Sequence, residues 1–387
     1  MISDWQTVLL GELCTLTKGK APTLKTPPGD YPLVVTGPEP LTSKDFQFEG
    51  EAVCIPMVSS TGHGHASLKR VHYVSGRFAV ANIITAAVVD DPSKCDTKFL
   101  YHFLQHFKDD LIVTRMQGTA NVSLSQKILA TVPVRLPPLD EQRRIVNLIG
   151  SIDNAIEAAN TNAELAGGLY GAILNGLDQD GPMVPIKDVV KVAKAGGTPS
   201  RKQSQYFMGE IPWVKSGEVE RDSIDSSEEH ISGEGLRSSS TWIVPPGSTL
   251  VAMYGQGNTK GKAGFVTSPV TTNQAVLALV PNEEVIVPAY LLHAIRSRTD
   301  ALRKKAVGAA QPNLSKGLII EETIPVPTRQ RQSILVALCS AATETASRSR
   351  EVGHSLRALR KELLTALLSG AHAMPESYDE LIAERVA

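Results

Sequence analysis

The residues best suited to chemistry in this sequence are basic ones set beside glycine. Asn258-Thr259-Lys260-Gly261-Lys262 is a glycine-containing loop with two lysines, a composition that lets backbone and ammonium groups come close to phosphate. It is not a nucleotide-binding P-loop, because Gln256 stands where that motif needs a glycine and Ala263 follows the lysine. The plain alternative is a turn. Arg201-Lys202, Lys215 and Arg303-Lys304-Lys305 have the charge to touch a nucleic-acid backbone, although such clusters are as often solvated faces. Thr61-Gly62-His63-Gly64-His65, followed by Lys69-Arg70, is a candidate for entering a groove. His63 and His65 alone do not make a metal site, since further ligands are needed. Trp213 reads as core, and Asp90-Asp91, the nearest carboxylate pair, reads as an exposed turn before Pro92. No Asn-Pro-Pro-Tyr or Asp-Pro-Pro-Tyr run for base methylation occurs, so a self-sufficient methyltransferase or nuclease is not indicated.

The elements that must position these residues follow from composition and period. The chain has 387 residues, 42% of them apolar and 20% charged, which suits two ordinary globular domains and excludes a mostly disordered chain. No run reaches eighteen uninterrupted apolar residues and the first five residues lack an export pattern, so a soluble, cytoplasmic protein is expected. Cys14, Cys54, Cys95 and Cys339 form no CxxC pair and are expected to be reduced and mostly buried. The net charge of −1 conceals opposite local signs. Residues 145–181 hold five acids and no Lys or Arg, whereas 334–370 holds five bases and three acids.

Those two stretches also carry a heptad pattern. Ile145, Ile149, Ile152, Ile156, Ala159, Ala163, Ala166, Tyr170, Ile173 and Leu177 fill every position of a 4-3 spacing. Leu335, Leu338, Ala342, Thr345, Ser349, Val352, Leu356, Leu359, Leu363 and Ala366 fit the same period, with two polar members. The spacing predicts two long helices. Paired antiparallel with centres matched, they put Ala159 opposite Gly353, Ala163 opposite Ser349 and Ala166 opposite Ala346. Gly167-Gly168 and Gly171 mark a possible kink in the first helix.

The chain reads twice. Gly118–Ser125 aligns with Gly308–Ser315 at a shift of 190, Pro133-Val134 matches Pro325-Val326, and each proline cluster leads into a long helix. Between these landmarks lie β-rich runs at 52–58, 78–84 and 248–254 and helical patterns near 98–110 and 288–305. Each repeat is therefore expected to be an α+β globule carried on a helical arm.

The order of these pieces resembles the specificity subunits of type I restriction-modification enzymes. The resemblance rests on Gly196-Gly197-Thr198-Pro199-Ser200-Arg201, Gly209-Glu-Ile-Pro-Trp-Val-Lys-Ser-Gly-Glu218, Gln311–Ser315 and Leu136-Pro-Pro-Leu-Asp-Glu-Gln-Arg-Arg-Ile-Val146. It implies an α+β fold with two target-recognition domains, expected at 1–140 and 181–330. These are joined by two long antiparallel, coiled-coil-like helices at 141–180 and 331–370, with an acidic tail at 371–387. It implies a non-catalytic subunit that binds an asymmetric bipartite site on double-stranded DNA, for which His63, His65, Lys69, Arg70, Arg201, Lys202, Lys215, Asn258, Lys260, Lys262, Arg303, Lys304 and Lys305 are the candidate DNA contacts. It further implies methyltransferase (M) and restriction (R) subunits as partners and no membrane. No cofactor would be bound directly: S-adenosylmethionine (SAM), ATP and Mg belong on the partners. A modification-only system and a coiled-coil scaffold without DNA are the alternatives. The first half offers Gly19-Lys20-Ala21-Pro22-Thr23 in place of Gly-Gly-Thr-Pro, and the second hinge reads Thr328–Ser333 against Leu139–Arg144 in the first. A diverging local fold is therefore expected in the first domain.

Overall fold

The computed structural model describes residues 5–61, 65–119, 122–255, 259–306, 313–370, 372, 374–375 and 377–379. Its contacts divide the chain into unit 1, Met1–Ala159 with Glu351–Ala387, and unit 2, Asn160–Arg350.

Unit 1 contains strands β1 (Gln6–Leu9), β2 (Cys14–Lys18), β3 (Tyr31–Val34), β4 (Leu41–Ser43), β5 (Phe48–Pro56), β6 (His72–Val80), β7 (Ile84–Val89) and β8 (Pro133–Leu136). Its helices are α1 (Leu10–Leu13), α2 (Thr97–His106), α3 (Lys108–Leu111), α4 (Gln126–Ala130) and the first part of α5 (Leu139–Gly176). A six-stranded sheet runs β2-β7-β5-β6-β3-β4, antiparallel except where Leu33 pairs with Ala79 in parallel, and β1 pairs separately with β8. Alternation along β5 sorts its side chains between the two faces. Val53 and Ile55 join the core under α2, whereas Ala52 and Cys54 face the other side with Phe78 and Val80.

Unit 2 contains β9 (Met183–Pro185), β10 (Val190–Ala195), β11 (Ile211–Val214), β12 (His230–Ile231), β13 (Thr249–Ala252), β14 (Ala263–Phe265), β15 (Thr271–Thr272), β16 (Val276–Pro281) and β17 (Thr323–Pro325). Helices α6 (Gly233–Arg237), α7 (Pro288–Ser297), α8 (Thr299–Lys305) and α9 (Lys316–Ile320) precede α10 (Arg329–Leu368). Sheet order β10-β16-β13-β14 repeats β2-β7-β5-β6, while β12-β11-β15, with a parallel Trp213–Thr271 pairing, repeats β4-β3-β6. The expected divergence of the first domain is thus a local one. The nine-residue β6 does alone what β14 and β15 share in unit 2. Val251 and Leu277 again face one core and Leu250 and Val276 the other.

The caps repeat too. Ser125 accepts from the Ile128 amide at 3.3 Å and Ser315 from the Leu318 amide at 3.2 Å, each ending the stretch that aligned at a shift of 190. The helical patterns at 98–110 and 288–305 each break once, at Phe107 and at Arg298. The run 78–84 is the end of β6, a turn and the start of β7, because Ile84 bonds back to Ala81. All four cysteines are free and buried.

The long helices have 38 and 40 residues, and α5 continues unbroken through Gly167, Gly168 and Gly171. Their packing is antiparallel within each unit. In unit 1, Ile145 and Ile149 near the start of α5 share a core with Leu364, Leu367 and Leu368 near the end of α10, and Arg360 donates to Asp153 at 2.9 Å. In unit 2, Leu177 shares a core with Leu335. Asp153 and Arg360, which sum to 513, pair within one position of the matched-centre arrangement, whose pairs sum to 512, and Ala159, Ala163, Ala166 and Ala346 are all buried.

One part of the expected pattern is overturned. The seam of α10 does not pass through Leu338, Val352 and Leu359, which are 48%, 51% and 46% exposed. It runs through Cys339, Ala342, Ala346 and Gly353, all buried, and Arg360, held in place by Asp153. Small side chains there permit close helix approach, which large ones would block.

Candidate nucleic-acid interface

The glycine-rich loop joins β13 to β14. Asn258 lies outside the described residues. Gly261 has φ of +74° and donates its amide to the Ala252 carbonyl at 2.9 Å, so its glycine serves a left-handed turn. Lys262 forms an ion pair with Glu220, and the Lys260 carbonyl accepts from Arg303 Nε at 2.9 Å. Loop and α8 are thereby brought together. Arg303 also approaches Asp300 at 3.4 Å, Lys305 pairs with Glu322 at 2.6 Å, and Lys304 is exposed.

A second group gathers around β11. The chain passes so close at Gly196 that a Cβ there would sit 2.0 Å from the Thr272 carbonyl oxygen, and in unit 1 a Cβ at Gly19 would sit 2.2 Å from that of Ala81. Gly19 therefore repeats the close approach that Gly196 makes in unit 2. Trp213 is core, 2% exposed, with its indole donating to the Gly197 carbonyl at 3.0 Å. Arg201 lies over the Phe207 and Trp213 rings, 4.2 and 5.0 Å from their centroids. Arg201 also pairs with Glu229 at 2.7 Å, and Lys215 reaches the same carboxylate at 2.9 Å. Those two cations hold the Glu229 carboxyl below its usual range. Arg201 and Lys215 are thus mutually braced, while Lys202 is exposed beside them.

In unit 1, His63 lies outside the described residues. His65 is exposed and its carbonyl accepts from Ser59 Oγ at 2.6 Å, which pins the loop. Lys69 is exposed, with its amide donating to Ser60 Oγ at 3.1 Å. Arg70 and His72 line an open cleft of about 560 Å³ with Lys69, Tyr73, Tyr101 and Gln105. Arg70 Nε and His72 Nε2 are buried there without a hydrogen-bond partner among the described residues. Burial, with the nearby Arg70 charge, pushes the His72 imidazole down. Sequence reading passed over His72 because a lone histidine in a strand pattern carries no signal. Asp90 and Asp91 behave as a turn, the former accepting from Thr15 and the latter from Ser93. Among the described residues no cluster of His, Cys, Asp or Glu could hold a metal.

Two glutamines went unremarked in the sequence. Gln142 and Gln332, both fully buried, stand 190 residues apart in the two hinges that otherwise differ. Gln142 Nε2 donates to the Pro137 and Lys94 carbonyls at 2.8 and 2.9 Å and its Oε1 accepts from the Asp96 amide. Gln332 repeats this with the Pro327 and Val285 carbonyls, at 2.9 and 3.2 Å, and the Val287 amide. Each staples a proline hinge to the start of the sheet-covering helix.

Each half of the chain is thus an α+β unit that carries basic loops and runs into a long helix. A family model described as the type I restriction modification DNA specificity domain matches residues 2–166 and again 180–346, and the chain belongs to that family. It is 31% identical over 147 residues to the Escherichia coli type I restriction enzyme EcoR124I/EcoR124II specificity subunit, covering 37% of this chain and 36% of that one. It is 26% identical over 195 residues to the Methanocaldococcus jannaschii MjaIX specificity subunit, covering 48% and 43%. These matches span well under half the length of those two relatives. The fold is that of the type I restriction-modification S subunit from M. genitalium, with a TM-score of 0.63 at 17% identity over 94% of this chain and 96% of that one. A structure from work on assembly and conformational transition of the type I R-M system matches with a TM-score of 0.56 at 18% identity, covering 94% and 97%. Among the described residues no helix is long and apolar enough to cross a membrane.

Proposed function

We propose that this chain is the DNA sequence-recognition subunit of a type I restriction-modification complex. It reads an asymmetric bipartite target in double-stranded DNA and positions methyltransferase subunits and, in a restricting system, restriction subunits. The observation that carries this reading is the repetition of one strand order in two units whose loops differ, since two similar but unlike readers suit two unlike half-sites. Phosphate contacts by exposed Lys69, Lys202 and Lys304 supply affinity, and groove-facing side chains near Arg70 supply specificity. SAM, ATP and Mg act on the partners, in the cytoplasm.

Co-expression with its methyltransferase partner should yield adenine methylation at one split sequence with a fixed gap, read by genome-wide methylation mapping, while the purified chain alone methylates nothing. Methylation without a split, fixed-gap pattern would defeat the proposal. The long helices act as the spacer. Inserting seven residues at matched points of α5 and α10 preserves the heptad phase and adds about 10 Å, or about three base pairs of rise. The tolerated gap should lengthen accordingly, and an unchanged gap would remove the spacer role.

A further inference from the structure

Two basic, glycine-containing stretches that lie far apart in the sequence, one around His65 and one around Lys260, are the same connection of the repeat. Each leaves its sheet at a buried methionine. The Met57 amide donates to the Ile83 carbonyl and the Met57 carbonyl accepts from the Leu124 amide, both at 2.8 Å. Met253 makes the same two bonds, with the Ala275 carbonyl at 2.8 Å and the Leu314 amide at 3.1 Å. Each connection rejoins the sheet at Val71 or Ala263, where one side chain of the sheet-covering helix holds the backbone. Gln105 of α2 accepts from the Val71 amide at 2.8 Å, and Arg296 of α7 donates to the Ala263 carbonyl at 3.1 Å. These two residues stand at one helical position, three after His102 and three after His293. Between the pinned ends lie residues 58–70 and 254–262, unlike in length and in sequence. What they share is composition, since each has two Lys or Arg, more than one glycine and no Asp or Glu.

We propose that these connections are the DNA-contacting loops of the two units, 58–70 touching one half-site and 254–262 the other. The inference rests on the function proposed above. Two readers built on one frame must agree where they hold themselves and differ where they meet unlike sequences. A loop pinned alike at both ends and different between them meets both conditions, as binding loops on rigid scaffolds do. With no carboxylate in either loop, nothing in them repels phosphate. Their Lys, Arg, His, Asn, Gln and hydroxyl groups are donors that phosphate oxygens and major-groove base edges accept. Each loop also returns along an open cleft, of about 560 Å³ beside Lys69 and Arg70 and about 490 Å³ beside Lys262, so a duplex has access to it. Residues 62–64 and 256–258 lie outside the described residues, and the contacts assigned are His65 and Lys69 in unit 1 and Tyr254 and Lys260 in unit 2.

The four native cysteines are buried, so a cysteine introduced into a loop is the thiol that an iron–EDTA cleavage reagent labels. His65→Cys and Tyr254→Cys carry the reagent, with Lys69→Cys and Lys260→Cys as second tether points should either of the first pair fail to fold. Each labelled full-length chain is assembled with its methyltransferase partner on the split target that methylation mapping defines, and the cut positions are read on a sequencing gel. Tethers in 58–70 should cut within one half-site and leave the other intact, and tethers in 254–262 should do the reverse. Cuts from both loops in the same half-site, cuts confined to the gap, or no localised cutting by complexes that bind the target would overturn the inference. If mapping finds no split target, the proposed function itself falls and the loop assignment with it. If a split target is found and the cuts lie elsewhere, the loop assignment alone falls.

Discussion

One half-buried and one buried histidine, with two buried glutamines, show how single side chains secure each unit. His102 on α2 and His293 on α7 occupy corresponding positions, and each imidazole is pushed down to about 4, chiefly by burial and then by an arginine, Arg360 or Arg296. An unfolded histidine titrates near 6.5, so between those values the unfolded chain holds more protons than the folded one. Stability from these groups is full above pH 6.5 and falls as pH drops towards 4. In urea unfolding at pH 7 and pH 4.5, His293→Gln should flatten the loss by up to about 1.4 kcal/mol per pH unit. An equal pH dependence in variant and parent would show that His293 is not held neutral. The glutamine staples are tested at neutral pH. Gln142→Ala strands two carbonyls and an amide and should cost about 2–4 kcal/mol in unit 1. Gln142→Glu should rescue none of it, because a carboxylate cannot donate to the Pro137 and Lys94 carbonyls.

At the scale of elements, α10 explains which parts of the fold were legible in advance. Its length, its antiparallel register with α5 and the identity of its facing small residues follow from spacing and charge. Its seam did not. Two heptad templates share Leu335, Ala342, Ser349, Leu356 and Leu363 and differ by one residue between them. Hydropathy favours Leu338, Val352 and Leu359, but close backbone approach favours Cys339, Ala346 and Gly353, and an ion pair draws in Arg360. Period alone cannot separate these, because the deciding quantity is the space between helices. Ala346→Leu should therefore overpack the unit 2 seam by about 1–3 kcal/mol, whereas Leu338→Gln should stay within about 0.5 kcal/mol. Chemical denaturation of both variants checks the order, and the reverse order would restore the hydropathic seam. The candidate interface was legible to a similar, partial extent. The sequence marks basic residues but not their partners, so Arg201 and Lys215, both committed to Glu229, look the same as exposed Lys202.

At the scale of the molecule, the repeat closes on itself. After α5 the chain runs directly into β9, which pairs with β17 just before the next hinge. After α10 no strand follows among the described residues, and the corresponding place is filled by β1, pairing with β8 just before the first hinge. Arg135 of β8 joins the two ends, its guanidinium lying 5.5 Å from the Trp5 ring and donating to the Ser369 carbonyl at 2.6 Å. The stretch expected as a separate acidic tail is partly drawn in as well, since Arg144 binds Asp379 at 3.0 Å and the Met374 carbonyl at 3.1 Å. The same pairing is thus made with the strand continuous with its helix in unit 2 and not in unit 1. A circular permutant that joins the last residue to the first through a Gly-Ser linker and opens between Gly181 and Pro182 gives unit 2 the arrangement that unit 1 now has. It should fold and unfold cooperatively and, on the function proposed above, bind the same target duplex as the parent. A permutant that folds but prefers a different gap would show that chain continuity at 177–183, rather than the paired helices, sets the spacing.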